Sequence, residues 1–139
     1  MIIVDTNVVA SLLFDDGAST LVARQVYLRD HSWAIPVLLR SELRNVCWKH
    51  VRRGRIDLDQ AQALELSADR LLRGSEFTVS GSRVLSLAAS SGCTAYDCEF
   101  VALAESLDVP LVTWDRAVLV AFAGVAMTPE HFVGAGESW

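Results

Sequence analysis

The chain has 139 residues, 52% of them hydrophobic and 21% charged, with a net charge of −5 at neutral pH. This composition excludes a disordered segment and offers no bulk positive charge for non-specific nucleic-acid binding; the length is that of one domain, residues 1–139. Mean hydropathy is +0.32, but the longest apolar run, AVLVAFAGVAM at 117–127, is shorter than the roughly 20 residues of a bilayer span, and the N-terminus lacks the basic start of a signal peptide, so a cytoplasmic protein is expected, with apolar surface to spare for an oligomer.

In chain order, MIIV reads as a strand, Asn7 to Phe14 as a short helix, and DDGAS as a loop opening a second helix that ends near Arg29. WAI at 33–35 is a short strand. Pro36 begins a helix that runs to about Arg53, with Gly54 as its stop. Leu58 to Arg73 forms another helix, ended by Gly74, and FTV at 77–79 is a strand. Ser82 caps a helix that ends at Gly92, and Thr94 caps one that ends near Leu107. LVTW at 111–114 is a strand, Arg116 to Phe122 a short helix, and VAM at 125–127 a last strand. Strands separated by helices pair in parallel, because each return requires a crossover. The expected fold class is therefore α/β, a three-layer α/β/α sandwich around a small, mainly parallel sheet. Such sheets bind ligands at the carboxyl ends of their strands.

Two strands end there in a carboxylate: MIIV runs into Asp5, and LVTW into Asp115. Each has a bland reading as a turn former or helix N-cap. Glu42 shares the apolar stripe of Leu39, Leu43, Val46 and Cys47 at helical spacing, while Arg40, Arg44 and Lys49 are left for the outer face. A carboxylate on the core side is costly unless it is satisfied, either by leaving at the edge of the stripe or by pairing with an arginine. Asp97 follows Thr94 in a capping-box spacing before an apolar run. With right-handed crossovers the helices carrying Glu42 and Asp97 flank the edge that holds Asp5 and Asp115. Four carboxylates gathered at one place repel. Divalent cations remove that repulsion, and all-oxygen ligands select Mg²⁺ or Mn²⁺ over zinc.

These residues, in MIIVDTNVVASLLF, PVLLRSELRNVCWKHVRRGRI and GCTAYDCEFVALAESLDVPLVTWDRAVL, carry a resemblance to the PIN-domain family and, within it, to the toxins of the VapC type. The match spans most of the chain and is loose from about Asp57 to Ser90. It implies a PIN-like fold in which Asp5, Glu42, Asp97 and Asp115 form the catalytic and metal-binding cluster. Thr6 and Thr113 are implied as nearby hydroxyls, and Asn7 as support for the first strand turn. It further implies Mg²⁺- or Mn²⁺-dependent cleavage of single-stranded RNA, a cognate antitoxin and a homodimer. A small departure is Cys98, where alanine is commoner after TAYD.

Eleven of the twelve basic residues are arginine. Arg52, Arg53 and Arg55 are candidates for holding an RNA backbone, since the guanidinium fork binds two phosphate oxygens at once; a solvated helix end is the plainer reading. Cys47, Cys93 and Cys98 fit no zinc spacing and read as small buried hydrophobes. His31, His50 and His131 read as surface or packing residues. Trp33 and Trp114 are expected in the core, Trp48 on the less buried side of its helix as a candidate interface residue, and Trp139 is uninformative. Rival functions are a housekeeping RNA-processing nuclease without an antitoxin, and a non-catalytic domain that binds RNA or protein.

Overall fold

A computed structural model describes residues 1–134, and Trp139 lies outside the described residues. Five strands form one parallel sheet: β1 (Ile2–Val4), β2 (Trp33–Pro36), β3 (Glu76–Phe77), β4 (Leu111–Val112) and β5 (Ala126–Met127), in the order β3-β2-β1-β4-β5. Every pairing is parallel, with Ile3 opposite both Ala34 of β2 and Leu111 of β4. The first three strands therefore build outward on one side of β1 and the last two on the other. The order reverses between β1 and β4, and the crevice outside that reversal is where open parallel sheets bind ligands.

The helices are α1 (Thr6–Leu13), α2 (Ala18–Arg29), α3 (Leu38–Arg52), α4 (Leu58–Leu72), α5 (Gly81–Ser91), α6 (Ala95–Leu107), α7 (Arg116–Ala121) and α8 (Pro129–Gly134). The central strands are buried on both faces: all of β1, β2 and β4 is inaccessible or nearly so. They therefore read as continuous apolar runs, not as alternating patterns. Helix α6 supplies the most buried helical surface, Cys98 and Phe100 to Ala104, and it lies against β1, β2 and β4 with α5 packed on it. Helices α1, α2, α3 and α4 form a connected group, with α4 reaching β2 and α8 resting on α2. The result is the expected α/β architecture, a five-stranded parallel sheet flanked by helices. Among the described residues no helix is long and apolar enough to cross a membrane.

Several boundaries differ from expectation, each for a local reason. Pro36 closes β2 instead of opening the next helix. At the edge toward β3 the ladder uses the Ile35 N–H, which donates to Ser75 O, so the missing proline N–H is tolerated at the strand end. Helix α3 starts two residues later, without a side-chain cap. Strand β3 is only Glu76–Phe77, and Ser80, not Ser82, caps α5 by accepting from the Arg83 N–H. Helix α8 was not anticipated. It takes up Trp114, expected in the core but half-buried, whose indole N–H donates to both Glu130 carboxylate oxygens at 3.0 and 2.9 Å. Trp33 is buried as expected, and Trp48 is 54% exposed. Cys47 and Cys98 are buried and Cys93 is partly so.

Leu103 is 1% exposed at the centre of α6, the helix on which three strands rest. Leu103→Ala is expected to destabilise the protein by about 2–5 kcal/mol, as buried leucine truncations do, measured as a fall in the urea midpoint at unchanged slope.

Candidate active site

The four acids line one cleft of ≈ 280 Å³, together with Thr6, Asn7, Asn45, Val46 and Lys49. The fold brings them there from four separate elements. Asp5 follows the last residue of β1 and is the N-cap of α1, where its Oδ1 accepts the Thr6 N–H at 2.7 Å. Asp115 follows β4 after two residues and caps α7, with Oδ1 accepting the Val118 N–H at 3.1 Å. Both bland readings are thus correct, and neither competes with a place in the cleft. A cap anchors one oxygen and thereby aims the other.

Asp97 stands in the first turn of α6. Only half of a capping box is made there: Thr94 Oγ1 accepts the Asp97 N–H at 3.0 Å, and among the described residues no return bond from the Asp97 carboxylate is present. Helix α4 shows the complete box, in which Asp57 and Gln60 satisfy each other. The Asp97 carboxylate is therefore free to line the cleft. Glu42 sits at the edge of the apolar stripe of α3 and is neither fully buried nor paired with an arginine; it accepts the Thr6 hydroxyl at 2.7 Å.

Thr113 ties the two strand ends together. It is fully buried, and its hydroxyl donates to Asp5 Oδ2 at 2.6 Å while accepting the Asp115 N–H at 2.9 Å. Asn7 spans the same gap at longer range, with Nδ2 3.4 Å from Thr113 Oγ1 and Oδ1 accepting the Trp114 N–H at 3.4 Å. Thr6, Asn7 and Thr113 thus stand where sequence reading expected support for the acids. Cys98 is buried, its Sγ 3.9 Å from Ser91 Oγ, and it is not among the described residues that line the cleft.

Among the described residues no ion pair includes any of the four acids. Burial raises the Asp5 pKa from 3.8 to about 6, against the lowering effect of the Thr113 and Thr6 hydrogen bonds and with a further rise from Glu42 and Asp97. Glu42 is also raised, first by burial and then by Asp97 and Glu99, despite its bond from Thr6. Lys49 also lines the cleft, but not within ion-pair distance of these charges. The donor set, four carboxylates with no histidine or cysteine in the cleft, fits a hard divalent cation. It is not a closed cage: among the described residues no three His, Cys, Asp or Glu side chains are placed to hold an ion by themselves. Like charges with no cation between them stay apart, and an open cleft suits Mg²⁺, which keeps several of its waters and takes one or two carboxylates directly.

Sequence reading missed three lining residues. Asn45, Val46 and Lys49 lie three, four and seven positions after Glu42, the spacing of one helix face. Lys49 therefore stands on the cleft side and not, as expected, on the outer face. The outer flank of α3 is instead occupied by Arg40, bound to Asp69 at 2.8 Å, and Arg44, bound to Glu65 at 2.8 Å. Of the candidate RNA-binding arginines, Arg52 and Arg53 line a second cleft with Lys49. Arg55 lines neither cleft.

The model of the PIN domain matches residues 2–124. Ribonuclease VapC3 of Pyrobaculum aerophilum is 30% identical over 131 residues, covering 92% of this chain and 98% of the relative. The crystal structure of PAE2754 from the same organism superposes with a TM-score of 0.76 at 24% identity, over 99% of this chain and 90% of that one. A toxin–antitoxin complex from Klebsiella pneumoniae contains a chain with a TM-score of 0.65 at 18% identity, over 93% of this chain and 98% of its own.

A carboxyl whose folded pKa lies above its unfolded one stabilises the fold below the unfolded value and loses that contribution as pH rises through the folded value. For Asp5 the window is about pH 4 to 6. In EDTA the urea midpoint is expected to fall as pH rises through 6, and Asp5→Asn is expected to raise the midpoint at pH 7.5 and flatten the fall. An equally steep fall in Asp5→Asn would locate the effect elsewhere. Thr113→Val, of similar shape, leaves the Asp5 carboxylate and the Asp115 N–H without their partner and is expected to cost about 1–3 kcal/mol by the same measurement.

Proposed function

The chain belongs to the PIN-domain family, and on that premise we propose that it is a Mg²⁺- or Mn²⁺-dependent endoribonuclease that cuts single-stranded RNA and acts as the toxin of a toxin–antitoxin pair. The observation that carries the reading is the cleft in which Asp5, Glu42, Asp97 and Asp115 stand together, none of them in an ion pair among the described residues. These four residues would surround the ion, one or two of them binding it directly and the others through its waters. When bound, it supplies activation of water and neutralisation of charge on the phosphate oxygens.

The work of the protein's own groups is positional. Thr113 and the Thr6 N–H hold both oxygens of Asp5, so that carboxylate cannot rotate. The Thr6 hydroxyl holds one oxygen of Glu42, Oε1. One residue thus serves two acids, by its backbone and by its side chain, and fixes their spacing. Phosphodiester hydrolysis gains from rigid placement of charge, because the transition state builds charge on oxygen atoms whose positions are set in advance. Asn7 and Thr113 link the β4 end to the β1 end.

An antitoxin partner is part of this reading, supported by the fold likeness to a chain of a toxin–antitoxin complex. So is a homodimer, for which the exposed Leu21 and Leu28 on α2 offer apolar surface. Trp48, with Leu58 and Val51 beside it in a groove between α3 and α4, is the aromatic anchor that a protein interface favours.

The test is cleavage of a mixed single-stranded RNA by purified protein with Mg²⁺, Mn²⁺ or EDTA. Cutting is expected with either ion and absent in EDTA. Asp5→Asn, Asp97→Asn and Glu42→Gln are each expected to reduce the rate by at least a hundredfold, the scale of losing one group that stabilises developing charge. Cutting that survives all three would overturn the site.

A further inference from the structure

Among the described residues, Lys49 alone lines both the acidic cleft and the basic one. Its position follows from α3. Glu42, Asn45, Lys49 and Arg52 repeat at helical spacing along one flank, and Arg53 follows as the C-cap. That flank changes sign along its length, acidic at Glu42 and basic from Lys49 onward. At 1.5 Å per residue, Lys49 lies about 10 Å along the axis from Glu42, and Arg52 about 5 Å further.

The basic residues of α3 divide sharply by pairing. Arg40 and Arg44, on the flank toward α4, are bound to Asp69, Glu76 and Glu65. Lys49, Arg52 and Arg53 have no carboxylate within ion-pair distance among the described residues, and all three are exposed around their cleft of ≈ 270 Å³. The helix dipole accounts for cations in the last turn of α3. It does not account for their selection of the flank that leads to the four acids, nor for a lysine inside the acidic cleft itself.

Resting on the nuclease reading, we infer that Lys49, with Arg52 and Arg53, holds the phosphates of the RNA strand on one side of the cut, with Lys49 positioning the phosphate next to the one cleaved. Lys49 is a positioning residue: it binds the backbone beside the reacting group and does not take part in the chemistry. An ammonium suits that place, as a compact point charge on a flexible stem that reaches a phosphate without the fixed fork of arginine. The track of Lys49, Arg52 and Arg53 runs from the acids toward the C-terminus of α3. The strand is therefore gripped asymmetrically, and recognition extends further on one side of the cut than on the other.

The experiment separates this grip from catalysis. Binding of a fluorescent single-stranded RNA is followed by anisotropy across a salt series, with Mg²⁺ present, in Asp5→Asn protein that leaves the RNA intact. Lys49→Gln and Arg52→Gln are each expected to weaken binding and to lower the slope of log affinity against log salt by about 0.7, the value of one phosphate contact on a single strand. Arg24→Gln, an exposed cation on α2 outside both clefts, leaves the slope unchanged. In otherwise wild-type protein, Lys49→Gln is expected to raise KM at nearly unchanged kcat, and nucleotides added on one side of the cut are expected to lower KM while those on the other side do not. An unchanged salt slope overturns the inference. So does a Lys49→Gln protein that binds Mn²⁺ more tightly with its RNA affinity intact, since the lysine would then only screen the acids. Polyglutamate binding lost in the variants while RNA binding persists would assign the track to an acidic protein segment and overturn it too. A slope that falls as expected in a protein that cuts no RNA would retain the grip and reject the nuclease.

Discussion

A single hydroxyl holds the carboxyl ends of the two central strands in place. Thr113 on β4 donates to Asp5 at the end of β1 and accepts from the Asp115 backbone, so one buried oxygen joins residues more than a hundred positions apart in the chain. Even with this bond, which lowers it, burial pushes the Asp5 pKa up to about 6; without the bond the carboxylate would stand among other acids with one oxygen unheld. The bond does not neutralise that charge. It fixes where the charge sits, and the mutual repulsion of the acids is left for a cation to relieve. Stability is thus given up at the mouth of the sheet in exchange for a fixed set of negative oxygens, a common arrangement at functional sites.

The rest of the molecule serves that constraint. The sheet order places the chain reversal between β1 and β4, which puts Asp5 and Thr113 side by side. Helix α6 packs against β1, β2 and β4 and brings Asp97 to the same edge in its first turn. Helix α3 differs in pairing between its two flanks. Toward α4 its arginines are engaged by carboxylates and fasten two helices together. Toward the cleft it carries Glu42, Lys49 and Arg52, and among the described residues these cations form no ion pair. The net charge of −5 describes neither flank, because an acidic chain can still present a local basic track.

Much of this was legible in the sequence because the signals were local. A short apolar run ending in aspartate marks a buried parallel strand and its binding edge, and it located Asp5 and Asp115. Capping residues located the start of α6. Pairing across the fold was not legible: nothing near Thr6 indicates that its hydroxyl reaches Glu42, thirty-six residues away. The half-made capping box at Thr94 was invisible for the same reason, since the pattern does not say whether the carboxylate turns back or outward. Lys49 was assigned to the outer face, although counting seven residues on from Glu42 places it on the cleft side. Helix α8 was hidden behind Pro129, and with it the partner of the Trp114 indole.

The most direct test of the central claim is calorimetric titration of Mn²⁺ into wild-type and Asp5→Asn protein at pH 7.5, each followed by thermal melting with and without the ion. The account predicts saturable binding to the wild type, a higher melting temperature with the ion, and loss of both effects in Asp5→Asn although that variant alone is the more stable apoprotein. Binding of equal strength in the variant, or no binding and no shift in the wild type, would contradict it.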